Sequence, residues 1–182
     1  IPCDGAQYVE PLTDQNLNLA GHLWAGEQVQ ASVRLQDALE LFKHPRVVAL
    51  KHTNTNMYEL ERILAHNPAL VALNGYDEAF LSGLSMGASG MIGSTVNFMA
   101  RKFIALRDAF LAGKNTEALK LQGEANEIIE TLVEVGVFNA VKYALTLRGV
   151  DCGSCRGPFK PLDDAGKGKV KAILEKNLGE AL

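Results

Sequence analysis

From residue 47 onward the apolar positions fall into two alternating rhythms: short continuous runs, and longer segments in which they recur three or four residues apart. The runs suit buried parallel strands and the spaced segments suit amphipathic helices, so their alternation predicts successive βα units. Val47-Val48-Ala49-Leu50-Lys51 reads as a strand after the His44-Pro45 break, followed by a helix over 57–66 carrying Met57, Leu60, Ile63 and Leu64 on one stripe. Asn67-Pro68 ends that helix, Leu70-Val71-Ala72-Leu73 forms the next strand, and Asn74-Gly75 turns the chain into a helix over 77–86. Met91-Ile92-Gly93 makes a third, short strand, and a helix runs from Val96 to Ala112, stopped by Gly113.

Beyond Gly113 the strand signals stop. Thr116 to Glu134 reads as a long helix with Leu119, Ile128, Ile129 and Leu132 apolar, Val137 to Leu147 as a second, and Asp163 to Leu178 as a lysine-rich surface helix. Upstream, Leu12–Leu19 and Val33–Phe42 have helical spacing, but residues 1–34 as a whole give no firm assignment. The expected organisation is therefore an unassigned segment 1–34, βα units over 35–113, and a helical extension over 114–182. The fold class is α/β: a partial (β/α)8 barrel, since 182 residues fall short of the ~250 of a closed barrel.

Parallel barrel strands present their C-terminal ends on one face, where such folds place their chemistry. Those ends deliver Lys51, His52 and Thr53, then Asn74-Gly75-Tyr76-Asp77-Glu78, then Gly93-Ser94-Thr95. Each has an ordinary reading: the lysine snorkels to solvent, Asp77 and Glu78 complement a helix dipole, and Ser94 or Thr95 caps a helix. Taken together they offer an amine, two carboxylates and hydroxyls on one rim. Desolvation makes a strand-terminal ammonium costly, and the same desolvation suits an amine that condenses with a ketone to an iminium, an electron sink for breaking an adjacent C–C bond.

Composition narrows the class of partner. A formal charge of -3, with 47% apolar and 21% charged residues, fits a globular protein and gives no basic footprint for nucleic acid. No apolar run reaches the ~18 residues of a membrane span, and the start lacks the regions of a secretory signal. With three cysteines and no such signal, a reducing cytoplasmic setting is expected. Cys152-Gly153-Ser154-Cys155 has redox or zinc spacing, but no second pair or nearby histidine completes a ligand set, so it is read as a structural turn. The chain opens on Ile1 without an initiator methionine, so a fragment or processed product is expected.

Three ordered motifs carry a resemblance: Ala49-Leu50-Lys51-His52-Thr53, Asn74-Gly75-Tyr76-Asp77-Glu78, and Gly87-Ala88-Ser89-Gly90-Met91-Ile92-Gly93-Ser94-Thr95-Val96-Asn97. With Gly136-Val137-Phe138, Lys142 and Cys155-Arg156-Gly157-Pro158-Phe159, they resemble the N-acetylneuraminate lyase branch of the dihydrodipicolinate synthase and sialic acid aldolase superfamily over residues 35–178. The resemblance implies a Schiff-base aldolase that cleaves N-acetylneuraminate or a related 2-keto sugar acid to pyruvate and an aldehyde sugar, needing neither metal nor cofactor. It makes Lys51 the Schiff-base lysine, Thr53 a substrate-contacting hydroxyl, and Gly75, Asp77, Glu78 and Ser94 the residues that hold the polyhydroxylated tail. It implies a homotetramer for the complete enzyme.

The family's carboxylate-binding Gly-Thr-rich loop and relay tyrosine, which precede this region, are not recognisable here; Tyr8 is the only tyrosine upstream of Lys51. Two alternatives follow: a truncated, catalytically silent fragment acting as an assembly module, or a dihydrodipicolinate synthase-like or 2-keto-3-deoxy sugar-acid aldolase. A CxxC redox protein ranks last.

Overall fold

A computed structural model of the protein describes residues 39–179. The helical reading of Leu12–Leu19, and Tyr8, lie outside them. Of the helix read at 33–42, residues 39–42 are described; 39–41 are helical and Phe42 lies in a turn. The chain divides into two compact units, the first running to Tyr76 and including Ser82–Ile92, the second comprising Asp77–Leu81 and the chain from Gly93.

The first unit holds a three-stranded parallel sheet, β1 (Ala49–His52), β2 (Val71–Asn74) and β3 (Gly90–Met91), in that order. Leu50 faces Ala72 and His52 faces Asn74 in the β1–β2 register. The first strand starts two residues later than its apolar run because Val47 is still turning, its amide bonded to the His44 carbonyl at 2.9 Å. Helix α1 (Met57–His66) joins β1 to β2. Asn56 caps it, accepting the Glu59 amide at 3.2 Å, and Pro68 follows its end.

Side chains alternate across a strand, so Leu50 and His52 share one face of β1, and Ala72 and Asn74 the same face of β2. That face is the packed one. Leu50 joins Phe42, Ile63 and Leu70 in a core cluster, while Leu60, Ala72 and Ala88 form another. On the opposite face Lys51 and Leu73 are half-buried, and Ala49 and Val71 are exposed.

The segment after β2 is helical as expected, but it begins as a 3-10 turn (Asp77–Ala79) before α2 (Phe80–Ser85). The second unit contains α3 (Val96–Leu111), α4 (Asn115–Val135), α5 (Val137–Leu147) and α6 (Asp164–Leu178). Gly113 and Gly136, at φ 74° and 104°, supply the left-handed breaks after α3 and α4. Asp163 caps α6 by accepting the Gly166 amide at 2.7 Å. Leu106, Ile128, Leu132, Val170 and Leu174 are fully buried in this unit, and Phe80 meets Phe103 edge-on at 5.9 Å between ring centroids. Leu119, one of the apolar positions of α4, is exposed, because the buried stripe runs through Ala118, Gln122 and Ala125. Among the described residues no helix is long and apolar enough to cross a membrane.

Candidate active site

The C-terminal edge of the sheet is where buried polar groups gather in the first unit. Lys51 is half-buried at the end of β1 and has no hydrogen-bond or ion-pair partner among the described residues. Two residues on, Thr53 has a buried hydroxyl that is also without a partner there. Gly75 follows β2 and extends the ladder, its amide donating to the His52 carbonyl at 2.8 Å. A Cβ at Gly75 would run into Thr53 Oγ1 and lie 3.0 Å from Lys51 Cε. Three of the six expected site residues, Lys51, Thr53 and Gly75, therefore lie close together, and a Cβ at position 75 is opposed chiefly by the Thr53 side chain.

Behind that row lies a second pair. His52 and Asn74 are register partners, both buried, and neither ring nitrogen of His52 has a partner among the described residues. Burial holds the imidazole below its ordinary pKa of 6.5, because the charged ring would lose its hydration with nothing to replace it. Asn74 donates to the Tyr76 carbonyl, bracing the turn that carries Gly75, while its Oδ1 has no partner among the described residues and lies above Gly83, where a Cβ would come within 2.7 Å.

The acidic pair lies in the second unit with Ser94. Asp77 is buried, and its Oδ2 accepts both the amide of Thr95 at 2.9 Å and its hydroxyl at 2.5 Å. Its Oδ1 is buried without a partner among the described residues, pressed against Gly93, where any Cβ would overlap the carboxylate. Thr95 precedes α3 but does not cap it: its backbone is already helical, and its hydroxyl is spent on Asp77. Glu78 and Ser94 are exposed, and the Ser94 carbonyl accepts from Asn97 at 2.8 Å.

Two residues of this locus went unread in the sequence. Gln122 donates to the Asp77 carbonyl at 3.1 Å and accepts the Leu81 amide at 2.9 Å, and Asn126 donates to the Glu78 carbonyl at 3.1 Å. The available signal was a glutamine inside the apolar stripe of α4, since a buried amide must find partners.

The CxxC loop is held from α5 at both cysteines. Lys142 Nζ donates to the Cys152 carbonyl at 2.7 Å, and Asn139 accepts the Cys155 amide at 3.0 Å. Both thiols are half-buried and free.

Comparison with known proteins places this geometry. The model of the Dihydrodipicolinate synthetase family matches residues 27–177. The chain is 44% identical over 131 residues to an N-acetylneuraminate lyase of Rhizobium meliloti (strain 1021), covering 72% of this chain and 44% of that one. Its structure is similar to CdNal from Clostridium difficile in complex with mannosamine, with a TM-score of 0.78 at 29% identity, covering 82% of this chain and 52% of that one. It is equally similar to N-acetylneuraminate lyase from Fusobacterium nucleatum complexed with pyruvate, with a TM-score of 0.77 at 31% identity and coverage of 81% and 50%. The chain thus spans about half the length of the relatives it matches. Matched over most of its residues, by sequence and by fold, the chain belongs to the dihydrodipicolinate synthetase family.

Proposed function

We propose that the chain carries the Schiff-base machinery of a carbon–carbon lyase that cleaves N-acetylneuraminate, or a related 2-keto sugar acid, to pyruvate and an aldehyde sugar. The observation that carries this reading is the Lys51 amine at the end of β1, free of ion pairs among the described residues and flanked by the Thr53 hydroxyl and the Gly75 backbone. The relatives named N-acetylneuraminate lyase, and the neighbour structures holding pyruvate and mannosamine, support the substrate class.

In this reading the unprotonated Lys51 amine attacks the C2 ketone and water leaves, giving an iminium. The C3–C4 bond then breaks as a base takes the C4 hydroxyl proton. The bond's electrons pass into the enamine and the aldehyde departs. Protonation at C3 and hydrolysis release pyruvate and regenerate the amine. Thr53 orients the keto acid, and Gly75 gives it room. Asp77, Glu78 and Ser94 take the hydroxyls of the tail, since carboxylate and hydroxyl oxygens accept from them. A site that reads hydroxyls this way rejects analogues lacking them. The sheet is the C-terminal arc of a (β/α)8 barrel, and the complete enzyme is a homotetramer.

A second reading, a catalytically silent assembly module, is favoured by the exposed Ala49 and Val71 on the Lys51 face of the sheet, an apolar surface that a barrel would enclose. Pyruvate release by this chain from N-acetylneuraminate, followed with lactate dehydrogenase and NADH, separates the two. Release that disappears in Lys51→Ala supports the lyase; no release at any substrate concentration supports the silent module.

A further inference from the structure

We propose that Gln122, with Asn126 one helical turn further on, is a positioning residue for the acidic turn and thereby sets recognition of the polyhydroxylated tail; this rests on the roles given above to Asp77 and Glu78. Gln122 is buried, 6% exposed, at a position of α4 whose neighbours along the stripe are Ala118, Ala125 and Ile128. A glutamine there costs stability unless both ends of its amide are used. Both are. Its Oε1 accepts the Leu81 amide at 2.9 Å and its Nε2 donates to the Asp77 carbonyl at 3.1 Å, so one side chain ties the first residue of the 3-10 turn to the first turn of α2. The second Nε2 proton goes to Asn126 Oδ1 at 2.8 Å. That bond fixes which way the Asn126 amide points, leaving its Nδ2 to donate to the Glu78 carbonyl at 3.1 Å.

The two amides therefore hold the backbones of residues 77, 78 and 81 and leave both carboxylates untouched. Asp77 keeps one oxygen for Thr95 and one without a partner among the described residues; Glu78 keeps its side chain exposed. A carboxylate discriminates hydroxyl positions only if its own backbone is fixed, which is what this clamp supplies. Lys51, on β1 of the first unit, takes no part in it. The prediction is a split: loss of the clamp weakens aldose binding and spares condensation at Lys51.

The test compares wild type with Gln122→Leu, which removes both amide functions at similar length, and with Asn126→Ala, a half-buried site whose loss leaves the core intact should the first variant fail to fold. Three readouts are taken: NMR titration with N-acetylmannosamine, borohydride trapping of pyruvate at Lys51, and hydrogen exchange of the Leu81 amide. In the variants the aldose dissociation constant rises about ten-fold, as expected for a lost buried hydrogen bond, and Leu81 exchange accelerates to a similar degree. Trapping stays within about two-fold, as for an independent site. Unchanged aldose binding and exchange overturn the proposal, as does trapping that falls in step with aldose binding, or a wild type that binds no aldose. A wild type that binds aldose but traps no pyruvate contradicts the Schiff-base reading alone, and the clamp is then decided by the other two readouts.

Discussion

Asp77 and Thr95, eighteen residues apart, are joined twice: one carboxylate oxygen accepts both the Thr95 amide at 2.9 Å and the Thr95 hydroxyl at 2.5 Å. The pair ties the acidic turn to the start of α3 inside the second unit and fixes the carboxylate's orientation. Thr95→Val keeps the shape and removes the hydroxyl donor, leaving a buried carboxylate oxygen short of one bond. The expected cost is about 1.5–3 kcal/mol, the range for a hydrogen bond to a charged group, measured as a lowered denaturation midpoint at unchanged slope. Thr95→Ser, which retains the donor, is expected to lose less than half of that.

Gly75→Ala places a methyl group where Thr53 Oγ1 already sits and 3.0 Å from Lys51 Cε. Overpacking of this kind costs about 1–3 kcal/mol, and here the displaced atoms belong to the proposed catalytic amine and its neighbour. Urea denaturation reads the stability loss, and pyruvate trapping reads the functional one, which is expected to fall by more than ten-fold. Trapping at the wild-type level would show that the close approach of residue 75 to the lysine has no bearing on the site.

Buried His52 gives the fold a pH dependence of defined sign. Its pKa is depressed in the folded state, so between that value and the ordinary 6.5 the unfolded chain binds more protons than the folded one. Stability from the neutral ring is complete above pH 6.5 and is lost as the pH falls below it, levelling off at the depressed folded value. His52→Gln carries no titrating group. Denaturation curves recorded from pH 7.5 down to pH 5 are expected to show a shallower loss of stability in the variant than in wild type, the difference being the histidine's share.

The βα rhythm, the limits of α1 and α5, and the placing of Lys51 at a strand end were legible because each depends on local apolar spacing, caps and Gly or Pro stops. The approach of Gly75 to Lys51 was legible only in part: the resemblance flagged the glycine, whereas its steric reason needs two adjacent strands in register. Asp77, read from resemblance as a ligand for hydroxyls, also carries a structural bond to Thr95 that nothing in its neighbours announces. Gln122 was illegible as a site residue since its partner, Asp77, lies 45 positions away.

The claim on which the account turns is that the amine of Lys51 condenses with a 2-keto acid. It is tested most directly by incubating the chain with pyruvate and sodium borohydride, then mapping the product by peptide mass spectrometry. The account predicts a reduced pyruvate adduct on the peptide containing Lys51, abolished in Lys51→Ala and suppressed by omitting borohydride. An adduct spread over the surface lysines, or none at Lys51 under conditions that label the Fusobacterium nucleatum lyase, would contradict it.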